Sequence, residues 1–323
     1  MKTIHGLVVS GGGSKIAFEA GVLTHLTAVR YYQESPGYHV LGGVSAGALT
    51  VAMLGQYGDA AGQHTAASQL TELILPLRNQ DVYVSGPMGN VGNVARLLRT
   101  GALYGNAPLR KLIEENVSLS QLIGSEAFTV IGVTELESGM YHRIAGSSIT
   151  HDFILASASV PGVLPAVEIW GRHWVDGGVR NITPLGDVIY YAKAMGAEHL
   201  ELDVILASPK QMSYWAGNPR NPIQLVQRAL SIHTHEVYSG DLDELEWRNS
   251  MKNEGDISIN ARLFAPDLGM VEQGTMEFDP HKLARLFEHG LEVARRTTGQ
   301  GGTRYIGLPP GYQPNTPPDG EAI

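Results

Sequence analysis

Twice within the first sixty residues, a short apolar run ends in a glycine-rich turn and passes directly into a helix-like stretch. The first run is Gly6-Leu7-Val8-Val9-Ser10, ending in Gly11-Gly12-Gly13. It leads to a helix from Lys15 to about Arg30, with Ser14 as its cap and Ile16, Leu23, Leu26 and Val29 facing a core. The second is His39-Val40-Leu41, which enters Gly43-Val44-Ser45-Ala46-Gly47 and then a helix from Ala46 to Leu54. Strands joined through helices run parallel, because only a crossover returns the chain to the same end of a sheet. The repeat therefore predicts a parallel sheet with helices packed on it.

Downstream segments extend this pattern. Residues 76–105 are loose and rich in Gly and Asn, with a short helical stretch at 93–99, and read as a lid-like insertion over the sheet edge. Strands are expected at 128–136, 140–144, 167–170, 173–175, 200–206 and 257–264, with Gly171-Arg172 as a hairpin turn. Helices are expected at 109–116, 153–159, 185–195 and 280–296, and a long helical region at 223–250. Residues 1–300 read as one domain, and the Pro/Gly-rich tail 301–323 as extended or disordered.

Composition narrows the function classes. The 323 residues are 43% hydrophobic and 17% charged, ordinary for a folded globular chain, and the net charge is −9. That charge argues against nucleic acid and against electrostatic docking on anionic membranes, while leaving neutral or zwitterionic lipid open. There is no cysteine, which excludes disulfides, thiol catalysis and thiolate metal sites. His233 and His235 lie two apart on a helical pattern, hence on different faces, and Asp241, Asp243, Glu244 and Glu246 read as a solvated helix start. No metal and no cofactor is expected. The N-terminus lacks a signal peptide's apolar core and no segment has the length of a membrane span, so a soluble cytoplasmic protein is the expectation.

Three elements carry chemistry. Ser45 sits between Gly43 and Gly47 in a strand–turn–helix layout that raises a hydroxyl on a strained elbow. Gly11-Gly12-Gly13, at a helix N-terminus, presents unpaired N–H groups that suit a phosphate or an acyl-transfer oxyanion. The dinucleotide pattern fails because Ile16 stands where a third glycine is needed, and no P-loop Gly-Lys-Ser/Thr follows. Asp176 ends a strand before Gly177-Gly178, where a carboxylate serves equally as a turn former. The late histidines, His281 and His289, lie within an amphipathic helix and read as helix-surface residues, so a histidine-based triad has no good candidate.

In this order and spacing, Gly11-Gly12-Gly13-Ser14-Lys15, Gly43-Val44-Ser45-Ala46-Gly47 and Asp176-Gly177-Gly178 resemble the patatin-like phospholipase family. Ala156-Ser157-Ala158-Ser159-Val160-Pro161 and Asn181-Ile182-Thr183-Pro184 are similar to that family as well. The resemblance covers about Gly6 to Leu206 and departs at Ile16, where the family usually has glycine. It implies a three-layer α/β/α fold with a mostly parallel central sheet. It also implies a Ser-Asp dyad: Ser45 as nucleophile, Asp176 as general base, and Gly11, Gly12 and Gly13 as the oxyanion hole. Lys15 becomes a candidate electrostatic helper. The implied activity is lipid acyl hydrolysis of the phospholipase A or lysophospholipase type, on a lipid or other acyl-ester substrate with transient membrane-surface contact. Small-ester carboxylesterase or thioesterase chemistry on the same dyad, and a non-catalytic lipid-binding scaffold, are the alternatives. Met53, Leu54, Val82, Tyr83, Met88 and Leu97 are candidate acyl-groove residues, and Tyr214-Trp215 a candidate lipid contact.

Overall fold

The computed structural model describes residues 2–86, 90–209, 211, 212, 214, 215, 217–220, 228, 232, 235, 240, 257–270 and 276–299. Met88, His233, the acidic cluster at 241–246, most of the expected helical region 223–250 and the tail 301–323 lie outside the described residues.

β1 (Thr3–Val9), β2 (Val40–Val44), β3 (Phe128–Glu135), β7 (His199–Ile205) and β8 (Ser258–Phe264) form the parallel body of an eight-stranded sheet, in the order β3-β2-β1-β7-β8. β4 (Tyr141–Ala145), β5 (Val167–Ile169) and β6 (Arg172–Asp176) add antiparallel pairings at the β3 side. Side chains of β1 alternate as a strand requires. Ile4 and Val8 pack with Leu185, Val188 and Ala192 of α9 (Leu185–Ala194) on one face. Leu7 and Val9 join the larger core on the other face, which gathers α1 (Ile16–Tyr32), α2 (Ala46–Leu54), α3 (Ala60–Ile74), α8 (His151–Ser157) and α10 (Pro280–Thr298). The result is the three-layer α/β/α arrangement with a mostly parallel sheet.

Several boundaries differ from the sequence reading for identifiable reasons. The first helix begins with a 3-10 turn at Gly13–Lys15, so Ser14 lies inside the turn rather than capping it. α3, capped by the Asp59 carboxylate on the Gly62 N–H, buries Gln63, Ala66, Ala67, Leu70, Thr71 and Ile74, a stripe too polar and small to show as hydrophobic periodicity. The loose segment contains α4 (Asn79–Val82) and α5 (Asn90–Thr100) and is followed by α6 (Ala107–Asn116) and α7 (Leu119–Gly124). It is pinned beside α8's exit, with the N–H groups of Leu103 and Tyr104 donating to the carbonyls of Gly162 and Val163. The β5–β6 turn is Trp170-Gly171 rather than Gly171-Arg172, with both residues at positive φ, +54° and +75°. His289 is not a surface residue: it is buried in α10 and its Nε2 accepts the Asp267 N–H at 3.0 Å.

The register around β3 positions the site. Residues Val130–Gly132 of β3 pair with β2 and with β4 at once, so those two strands occupy opposite edges. Val133 and Thr134 pair with β4 and with β6, so β6 lies on the β2 edge. Val44 is opposite Gly132 and Asp176 is opposite Val133. β2 running up and β6 running down therefore meet head to head along β3, and the residues at their tips are Ser45 and Asp176.

Candidate active site

Ser45 follows β2 at φ 58° and ψ −125°. A non-glycine residue in the left-handed half of the map costs ~1–2 kcal/mol, and such strain persists only where the surroundings hold it. Here the holding is visible. The Ser45 N–H donates to Ser157 Oγ at 3.0 Å, and the Ser157 hydroxyl donates to the Gly132 carbonyl at 2.7 Å. The elbow's own chain crosses itself at Gly43 and Gly47, where a Cβ on Gly43 would strike the Gly47 carbonyl oxygen. Side chains at those two positions are excluded by contact.

The Ser45 hydroxyl faces the Asp176 carboxyl closely enough to pull its pKa down against burial. Both side chains are almost wholly buried. Asp176 is fixed from two sides: Oδ1 accepts the Gly178 N–H at 2.7 Å, and its own N–H donates to the Ser159 carbonyl at 3.0 Å. Gly177 lies so close to β3 that a Cβ there would meet the Gly132 carbonyl. The segment 156–161 thus has a structural task that sequence reading did not assign to it. Ser157 holds the backbone of Ser45 and Ser159 that of Asp176.

Burial pushes the Asp176 carboxyl up from the usual carboxylate range to about 7, while the Ser45 hydroxyl and the Gly178 N–H pull the other way. No histidine among the described residues bonds to either member of the pair.

The glycine turn lies against Ser45. A Cβ on Gly11 would come within 2.8 Å of Ser45 Cβ. The three glycines are not equivalent. Gly11 N–H is already committed to the Ile182 carbonyl at 3.1 Å, which takes it out of the expected set of oxyanion donors. The N–H groups of Gly12 and Gly13 have no acceptor among the described residues, and Gly13 takes φ +57°.

Lys15 lies in the 3-10 turn that opens the first helix. Its ammonium reaches Ser208 Oγ at 3.5 Å, and its electrostatic partner is Glu19 rather than Asp176. Burial lowers its pKa to about 8, against the opposing pull of Glu19. Ile16 is buried in the core, so the departure from glycine adds apolar contact at the start of α1. Met53, Leu54, Val82 and Tyr83 are core residues, Leu97 is half-buried, and Tyr214 is exposed.

Sequence reading missed Glu19. This carboxyl is wholly buried on α1 beneath the glycine turn, with Oε2 accepting the Thr50 hydroxyl of α2 at 3.3 Å. Oε1 has no hydrogen-bond partner and lies 3.5 Å from where a Gly12 Cβ would be. Burial raises its pKa to about 8, with Thr50 and Lys15 opposing. The visible signal was an acid inside the otherwise apolar run Ile16-Ala17-Phe18-Glu19-Ala20-Gly21-Val22.

Because the folded pKa of Glu19 stands above its unfolded value of 4.5, its contribution is fully present below pH 4.5 and is lost as pH rises through about 8. Glu19→Gln keeps the Thr50 contact without a titrating charge. It is expected to match the wild type in thermal melts at pH 5 and to exceed it at pH 9 by on the order of 2 kcal/mol. A variant less stable than wild type at pH 9 contradicts a raised Glu19 pKa.

The family model for patatin-like phospholipases matches residues 7–189, more than half of the chain, and spans the glycine turn, the elbow and the aspartate turn. The chain belongs to the patatin-like phospholipase family. Its matched part ends within α9, so β7, β8 and α10 complete the patatin-like sheet and its helical cover from outside the matched region. Among solved structures, this patatin-like chain is similar to VipD from Legionella pneumophila, at 13% identity and TM-score 0.41, over 92% of this chain and 67% of VipD. It is similar also to the type III effector protein ExoU, at 13% identity and TM-score 0.37, over 92% of this chain and 53% of ExoU. The chain therefore spans about half the length of ExoU. No curated protein matches it. Among the described residues, no helix is long and apolar enough to cross a membrane.

Proposed function

We infer that this chain is a lipid acyl hydrolase in the general sense that its family membership supports. We propose that this protein cleaves carboxylic esters of lipids through an acyl intermediate on Ser45, with Asp176 as the general base. The observation that carries the reading is the pairing of two buried groups, the Ser45 hydroxyl and the Asp176 carboxyl, whose pKa burial has raised to about 7. An ordinary aspartate is too weak a base to accept a serine proton. Matching the base to the working pH improves the transfer.

In the first half-reaction Ser45 Oγ attacks the ester carbonyl carbon as its proton passes to Asp176. The carbonyl oxygen becomes an oxyanion facing the N–H groups of Gly12 and Gly13, the two donors of the turn left without an acceptor. One such donor is worth ~10²–10³ in rate. The tetrahedral intermediate collapses, the C–O bond to the alcohol breaks, and the leaving alkoxide takes the proton from Asp176. In the second half-reaction water attacks the acyl-Ser45 carbonyl and gives its proton to Asp176. That proton returns to Ser45 Oγ as the fatty acid leaves. Ser157 and Ser159 touch neither substrate nor reacting atoms in this scheme; they hold the two ends of the dyad in register.

Substrate profiling tests the reading. Wild type is expected to release fatty acid from phospholipid and lysophospholipid and to cleave short p-nitrophenyl esters, and Ser45→Ala to do neither. Hydrolysis of short esters alone selects the carboxylesterase alternative. Absence of hydrolysis on every ester, with a folded wild type, contradicts the enzyme reading.

A further inference from the structure

We propose that the tips of the β3–β4 and β5–β6 hairpins form the surface by which this protein docks on a zwitterionic phospholipid bilayer. The proposal rests on the lipid reading of the Ser45 site. It deepens that reading by naming how the site meets its substrate.

The first observation is the position of the tips. β6 carries Asp176 at its lower end and the Trp170-Gly171 turn at its upper end, roughly 17 Å away at the rise of an extended strand. The β3–β4 turn stands beside it, since the Leu136 N–H donates to the His173 carbonyl at 2.9 Å. Arg180 Nη1 ties the aspartate turn to the same place by donating to the Gly139 carbonyl at 3.1 Å. The two hairpins thus rise together from the edge of the sheet at which Ser45 and Asp176 meet.

The second observation is what the tips expose. Trp170 is 81% exposed, Met140 59% and Leu136 51%. Single exposed apolar residues are unremarkable, but three large ones on adjoining turns above a lipid hydrolase site form a patch. Trp170 is the more telling. A two-residue hairpin turn with both residues at positive φ favours Asn, Asp or Gly in its first place, and here a bulky aromatic occupies it. Its ring touches the core only edge-on, against Phe153 with centroids 5.5 Å apart. That contact engages one edge and leaves 81% of the residue in solvent. An amphipathic ring so placed suits a lipid–water boundary.

The third observation is charge. Arg172 pairs with Glu135, and the His173 ring and N–H both meet Glu137. Among the described residues, Glu168 on β5 is the hairpin carboxylate without a cationic partner. Arg180, on the Gly139 carbonyl, has no carboxylate partner among the described residues, so the tips set two guanidinium groups against the three carboxylates of Glu135, Glu137 and Glu168; with a net charge of −9 they offer anionic lipid no positive patch and suit a surface with no net charge.

The test is co-sedimentation with pure phosphatidylcholine vesicles, beside hydrolysis of a soluble short-chain p-nitrophenyl ester. The variants are Trp170→Asn, which suits the turn's backbone, and the triple variant with Leu136→Gln and Met140→Gln added. Wild type is expected to partition onto the vesicles, and the triple variant to lose about tenfold or more in partitioning from the apolar area it no longer buries. Both variants are expected to keep soluble-ester hydrolysis within about twofold of wild type, because they leave Ser45 and Asp176 untouched. Equal partitioning of wild type and triple variant overturns the proposal, as does binding of wild type only to vesicles containing phosphatidylserine. A wild-type dimer that dissociates in the variants while vesicle partitioning is unchanged assigns the patch to a second copy and overturns it too. Trp170-dependent vesicle binding without ester hydrolysis supports docking and contradicts the Ser45 reading, so the two failures are separable.

Discussion

Asp176→Asn is expected to lower kcat/KM by ~10⁴ or more while leaving the protein folded, measured on a soluble ester at pH 8. The amide fills the same space and still accepts the Gly178 N–H, but it cannot take the Ser45 proton. Its effect on stability has a definite sign. The folded pKa of Asp176, about 7, lies above the unfolded 3.8. The protonated acid is therefore favoured in the folded state, and that advantage is complete below pH 3.8 and lost as pH rises through about 7. The variant should melt at or above the wild-type temperature at pH 8 and show the flatter pH dependence. Catalysis runs the other way. The base must be ionised, so wild-type kcat/KM is expected to climb with pH and reach half its plateau near 7. A melt well below wild type at every pH makes Asp176 a structural turn former. A kcat/KM flat from pH 5 to 9 removes it as the base.

Ser45→Gly and Ser45→Ala are expected to abolish turnover equally and to differ in stability. Both remove the proposed nucleophile, a loss of order 10⁶ in kcat for residues in this role. Glycine also relieves the positive φ of the elbow, so Ser45→Gly should be the more stable of the two by ~1 kcal/mol in denaturant titration. Each variant also removes the hydroxyl that pulls the Asp176 pKa down, leaving burial less opposed. Retained hydrolysis in either variant eliminates Ser45 as the nucleophile. Equal stability of the two shows that the elbow's strain is spread over other residues.

The parts of this site readable from sequence are those written in local spacing. In Gly43-Val44-Ser45-Ala46-Gly47, Gly43 is required by its contact with the Gly47 carbonyl four residues on, so pattern and geometry coincide there, while Gly47 is required by the Val9 carbonyl of β1. Asp176-Gly177-Gly178 is similar, since the aspartate's backbone partner is two residues on. The meeting of the two was not readable. It depends on β6 turning antiparallel and sharing an edge of β3 with β2, which is a matter of register between strands over a hundred residues apart. Ser157 and Ser159 looked like small residues of a helix end, and their tasks exist only once β2 and β6 are in place. Gly11 read as one of three equal donors until the Ile182 carbonyl was seen to occupy it. Glu19 was hidden because an acid within an apolar helix face carries no local sign of what lies above it. The hairpin turn at Trp170 was misplaced by one residue for a physical reason: sequence rules assign positive φ to glycine and not to tryptophan.

Intact-mass spectrometry after treatment with a fluorophosphonate tests the dyad most directly, because the reagent phosphonylates only an activated serine. Wild type is expected to gain one adduct, mapped by peptide sequencing to Ser45, at a rate that rises with pH through about 7 as Asp176 ionises. Ser45→Ala is expected to gain none, and Asp176→Asn to react at a small fraction of the wild-type rate. An unlabelled wild type, an adduct on another serine, or full-rate labelling of Asp176→Asn contradicts the dyad.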